Sequence, residues 1–221
     1  MARSPHRDAP SRLLPFAAPP GGAVPEPHQR PAGTGAAARR PRTAPLLRPA
    51  GTDDRPGLAA LWQMFRHELS DFDHSRPAAD GAFGRERLDA ALTEPDRELV
   101  LIEQDGRVVG FAAVRGLLGP CRVVSAFFVV RTARRAGIGG RAADALLRAR
   151  PGPWEIPFQQ VNAAAVVFWR GVAERAAPGA WHEERRPVPG RPDLPPDVWI
   201  SLSQPPGTDA HHVPPRSPSR R

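Results

Sequence analysis

The sequence predicts an α/β fold, a mixed sheet with helices on both faces, and three observations carry that expectation. Runs of apolar, β-branched residues alternate with amphipathic segments in the order β-α-α-β-β-β-α-β-α-β-β. Asp105-Gly106 sits between two apolar runs, 98–103 and 107–114, which is the signature of a tight hairpin. The apolar run at about 122–130 leads into a basic, glycine-punctuated turn, Arg131 to Arg141, and then into Ala142-Ala143-Asp144-Ala145-Leu146-Leu147, a strong helix former.

Taken in order, Leu46-Leu47-Arg48 is a short first strand. Thr52 or Asp53 is placed to cap a helix that Pro56 opens, and Leu58, Leu61, Trp62, Phe65 and Leu69 form its apolar stripe. The polar stretch 70–77 reads as a loop, followed by a second helix over 83–92 that stops before Pro95. Beyond the glycine turn and its helix, Pro151-Gly152-Pro153 delivers a fifth strand at Trp154. The helix after it shows Val166, Trp169, Val172 or Ala173, and Ala176 on one stripe, and 181–187 and 198–202 are the final strands.

Composition places the boundaries. Residues 1–47 hold seven arginines against Asp8 and Glu26, and residues 203–221 hold three against Asp209. The net charge of +8 therefore falls mainly on the ends, leaving only +1 between them. Those ends are dense in Pro, Gly and Ala, a composition that buries too little apolar surface to order itself. Disordered tails are expected over 1–44 and 203–221, around one domain at 45–202. A basic tail contacts phosphates without sequence preference, so no specific nucleic-acid partner is expected, although a protein working on nucleic acid through its tails is an alternative. The single cysteine, Cys121, allows no disulfide within the chain and points to a reducing, cytoplasmic setting. No apolar run approaches the roughly 18 residues of a membrane span, so no membrane partner is expected.

Strand, glycine turn and helix together form a cradle for an anion, because the helix start presents unpaired amides and glycine lets backbone close on a phosphate. A Walker loop needs a lysine, and the chain has none. Gly137, Gly139 and Ala142 fit the spacing of a dinucleotide fingerprint, but six residues part the strand from the first glycine and no acidic ribose reader follows.

Arg134-x-x-Gly137-x-Gly139 after an apolar strand resembles motif A of the GNAT N-acetyltransferase superfamily. Trp154-Glu155-Ile156-Pro157-Phe158-Gln159 and Asn162-x-x-Ala165-x-x-Phe168-Trp169 look like that family's fifth strand and following helix. The resemblance implies a splay between the fourth and fifth strands, and an acyltransferase that takes acetyl-CoA without a metal. It implies a cofactor site of Phe128, Val129, Val130, Arg134, Arg135, Ala136, Gly137, Ile138, Gly139, Gly140, Asn162 and Phe168, with the Phe128 amide as oxyanion donor. It implies a small-molecule or peptide amine as acceptor, near Asp71, Asp73, His74, Arg76 and the 187–196 loop, and is compatible with a homodimer.

Two departures stand out. Ala126 occupies the position where relatives often carry a glutamate, and no tyrosine exists anywhere to serve as general acid. Trp169 stands in its place, and an indole N–H does not titrate in water. Glu103 and Glu155 are the candidate bases, with His67 and His74 behind them and an ordered water near Ser125 as a relay. The same departures favour, as an alternative, a non-catalytic acyl-CoA-binding domain.

Overall fold

The computed structural model describes residues 45–134, 136–190 and 193–204. The expected tails and Arg135 lie outside these residues, except Ser203 and Gln204. Those two are strand: they pair with Pro153 and Gly152, and the Gln204 side chain donates to the Ala176 carbonyl at 2.9 Å. Ladder bonds and a side-chain tie hold a segment that composition alone marks as tail.

Seven strands form one sheet in the order β1-β2-β3-β4-β5-β7-β6. They are β1 (Leu46–Pro49), β2 (Arg97–Gln104), β3 (Arg107–Arg115), β4 (Arg122–Val129), β5 (Gly152–Gln159), β6 (Trp181–Arg186) and β7 (Asp197–Gln204). All neighbours are antiparallel except β4 and β5. The helices are α1 (Arg55–Asp73), α2 (Glu86–Thr93), the single turn α3 (Arg131–Arg134), α4 (Ile138–Arg148) and α5 (Ala163–Ala176). The β2–β3 hairpin turns on Asp105 and Gly106, both at positive φ (51° and 72°), the geometry an Asp-Gly turn favours.

Helix α1 begins behind Asp54 with Pro56 in its first turn, but it continues through Asp73 where a loop is expected. The added turn is held by an Arg66–Asp73 ion pair at 3.2 Å and ends at His74, in the left-handed conformation, whose N–H donates to the Ser70 carbonyl. Alternation along the strands sends two sets of side chains to two cores. Leu58, Leu61, Trp62 and Leu88 pack on Leu101, Phe111, Ala113, Ala126 and Phe128 beneath α1 and α2. On the other face, Ala143, Leu146, Leu147, Val166 and Val172 of α4 and α5 pack on Val100, Val114, Val124, Trp154, Ile156 and Ile200. That second core runs under both halves of the sheet. Among the described helices none is long and apolar enough to cross a membrane.

Candidate functional site

β4 and β5 are paired only at Arg122–Trp154 and Val123–Glu155. Beyond those two rungs the strands run on without a shared ladder, β4 to Val129 and β5 to Gln159. Pro157 falls in this unpaired stretch of β5, where a missing N–H costs no bond toward β4. A cleft of about 660 Å³ lies along the opening, within the usual range for a ligand site. Phe127, Phe128 and Val129 form one wall, and Asn162, Ala165, Phe168 and Trp169 of α5 form the other. The glycine turn closes one end and Phe65, Glu68 and Phe72 of α1 reach its edge.

The turn is shaped by local rules. Val130 follows the strand, and the amides of Ala133, Ala136 and Gly137 close successive tight turns onto Val130, Ala133 and Arg134. Gly137 caps α4 at φ 71°, a left-handed conformation that disfavours any side chain. The first amides of α4 then point out of the helix without acceptors of their own, as at every helix start. A Cβ at Gly139 would rest against the Phe168 ring at 3.4 Å, an ordinary contact, so glycine there keeps the space in front of the turn open rather than relieving a clash. Ile138, by contrast, sends its side chain fully into the core and offers the cleft only backbone.

Strand pairing decides which β4 amides serve the opening. Val130 N–H donates to Val109 O at 2.9 Å, and the register continues as Gly110–Val129 and Phe111–Phe128. Antiparallel alternation therefore turns the Phe128 amide and carbonyl toward β3, and a Cβ on Gly110 would collide with that carbonyl. The Phe128 amide, expected from the sequence as the oxyanion donor, is thus turned into the β3 ladder. The amides of Phe127 and Val129 face the opening instead. The Val129 carbonyl confirms this sense, because it accepts from Arg134 Nε at 2.6 Å.

Arg134 also lies over the Phe128 ring, 5.5 Å from its centroid. Its Nη2 and Arg131 Nε are both ion-paired with Glu68 of α1, at 2.7 and 3.1 Å. Asn162 caps α5, its Oδ1 accepting from Ala165 N–H at 3.0 Å, while its side chain also lines the cleft. Phe127, Phe168 and Trp169 touch one another as a triad, Phe168 tilted on Phe127 at 5.7 Å and edge-on to Trp169 at 4.8 Å.

The two candidate bases part company. Glu103 lies on β2, two strands away from β4, where Arg48 Nε donates to it at 2.6 Å on the β1 edge. The structure takes it out of the cleft. Glu155 stands at the last β4–β5 rung, where the opening begins, and is bonded to Arg186 Nη2 at 2.8 Å. Arg186 bonds Glu184 as well and stacks on Trp199 at 4.5 Å, so one guanidinium ties β5, β6 and β7 together on that face. Burial, followed by the Glu155 charge, pushes the nearby Cys121 thiol up.

His67 is exposed beside Phe83, His74 is exposed at the end of α1, and Ser125 Oγ donates to Ala113 O at 3.1 Å. Asp71 lines the cleft, whereas Asp73 is paired to Arg66. Asp197 escapes sequence reading altogether. It sits opposite Gln159 at the wide end of the opening, and burial holds its carboxyl above the usual range against a partly opposing Arg87. Among the described residues, no cluster of three His, Cys, Asp or Glu is arranged to hold a metal.

Residues 59–156 match the model of the acetyltransferase (GNAT) family. Over that stretch the chain carries a GNAT-family domain. No curated protein matches the sequence. The GNAT domain is similar to the ribosomal-protein-S18-alanine N-acetyltransferase of Escherichia coli, at 15% identity over 76% of this chain and 99% of that one, with a TM-score of 0.50. It is similar to an acetyltransferase of Thermus thermophilus, at 14% identity over 73% of this chain and 97% of that one, with a TM-score of 0.53. AAC(6')-Ib, in a complex with Parmomycin and AcetylCoA, gives 13% identity over 73% of this chain and 94% of that one, and a TM-score of 0.53. At these identities the structures speak for the fold, and they agree with the GNAT architecture of a mixed sheet with parallel β4 and β5.

Proposed function

We propose that the GNAT domain transfers an acetyl group from acetyl-CoA to a primary amine by direct attack of the amine. One observation carries the reading: the glycine turn and the splayed β4–β5 pair share a single cleft. A diphosphate fits the turn because Gly137 and Gly139 leave it without side chains and Arg134 stands beside it. Asn162 and Phe168 line the path of a pantetheine arm, between β4 and α5. When bound, acetyl-CoA supplies an acyl group activated as a thioester.

The chain's own residues provide the rest. The amides of Phe127 and Val129 face the opening and are placed to hold the carbonyl oxygen as it gains negative charge. Glu155, at the start of the opening, takes the proton from the attacking amine, and Arg186 keeps the carboxylate aimed. No tyrosine is present, so water or the departing ammonium proton serves the thiolate. The acceptor is a small-molecule or peptide amine entering over the β5–β7–β6 face.

Calorimetric titration of the full chain with acetyl-CoA tests the cofactor; absence of binding at millimolar concentration removes it. A second reading, a domain that binds acyl-CoA without turnover, has its own support. Glu68, which lines the cleft, and Glu155, at the head of the opening, are both engaged by arginines. Thiol release against a panel of amines separates the two, since a sensor binds CoA and releases none.

A further inference from the structure

The arginines of the phosphate turn are already gripped by an anion, and that anion belongs to the protein. Glu68, on the cleft side of α1, reaches across more than sixty residues of sequence to Arg131 Nε and Arg134 Nη2. All three residues line the cleft with Gly137 and Gly139. Arg134 does not depend on Glu68 for its placement, because Val129 O fixes its Nε and the Phe128 ring supports its plane. The carboxylate therefore occupies the outward guanidinium edge, the edge a phosphate oxygen would use.

We infer that Glu68 is a built-in counter-anion that sets the affinity of diphosphate recognition at this turn; the inference rests on the acetyl-CoA reading above. A carboxylate and a diphosphate compete for the same donors, and two anions held at one guanidinium repel each other. The Glu68 side chain is 26% exposed, so solvent screens the effect to a moderate size. The consequence is selective. A ligand that offers a diphosphate alone, such as ADP, gains little from the turn. A ligand that also fills the gap between β4 and β5 binds in spite of Glu68. Pantetheine, which carries no phosphate, is indifferent to it.

Titration of the full chain with CoA, ADP and pantetheine, in wild type and in two neutral variants, Glu68→Gln and Glu68→Ala, decides the matter. Both variants are expected to bind CoA and ADP about fivefold more tightly than wild type. Pantetheine affinity is expected to stay within about twofold. Weaker or equal CoA binding in both variants overturns the inference, because Glu68 would then aim the arginines or do nothing. An equal gain for pantetheine overturns it too, since the whole cleft would have opened. If wild type binds CoA and the variants gain nothing, this inference alone falls; if no protein binds CoA, the acetyl-CoA reading falls and takes this one with it.

Discussion

The two strands that border the opening work differently, although α5 and not β5 faces β4 across the cleft itself. The β4 wall, with the turn beyond it, works through backbone: strand amides, a left-handed glycine, the start of a helix. Its side chains, Phe127, Phe128 and Val129, are apolar and serve mostly to pack. The β5 side works through side chains, a network in which Arg186 binds Glu155 and Glu184 and covers Trp199. Backbone geometry suits a constant ligand, because φ, ψ and helix starts recur wherever the local rules are met. Side-chain networks suit what varies, which in the proposed reaction is the acceptor and the handling of its proton.

Three substitutions test that division. Glu155→Gln should lower thiol release with an amine acceptor by about a hundredfold, the scale of a lost general base, while CoA affinity measured by calorimetry stays put. A fall in CoA affinity of similar size would mean the two sides are not separate. Gly137→Val should act on the β4 side, weakening CoA binding about tenfold or more. A β-branched side chain at φ 71° should also cost roughly 1–2 kcal/mol in a denaturant melt. Asn162→Ala removes the α5 cap and should cost about 1 kcal/mol of stability, with a smaller loss of CoA affinity than Gly137→Val.

The smallest effect lies away from both strands. Hydrogen bonds from Arg48, then from the Gly51 amide, hold the Asp54 carboxyl down at about 2. A depressed carboxyl stabilises the fold above its unfolded value and loses that contribution as pH falls toward the folded one. Asp54→Asn should therefore melt below wild type at neutral pH, and the gap in Tm should close between about pH 4 and pH 2.

What could be read in advance follows the same division. The Asp105-Gly106 turn, the β4–turn–α4 unit and the Asn162 cap are local, so neighbouring residues reveal them. Glu103 misleads because its partner, Arg48, is fifty-five residues away and no spacing rule joins them. The amide direction at Phe128 is hidden for a subtler reason. Sequence shows which side chains share a face of a strand, but the partner strand decides which amides are spent, and that register comes from β3. The polar run Ser70 to Asp73 looks like loop, yet Phe72 faces the cleft and Arg66 bridges to Asp73, so the helix carries on. Glu68 and Asp197 gain their meaning only from what folding sets beside them.

A sheet joined across its middle by two rungs has a seam. If β1 and β6, at opposite edges, were pulled apart, the load would peel those rungs one after another. The long ladders within each half would hold. Resistance at the seam would come chiefly from the oily layer beneath α4 and α5, which spans both halves. Under force, the place made to admit a ligand is also where the molecule would tear first.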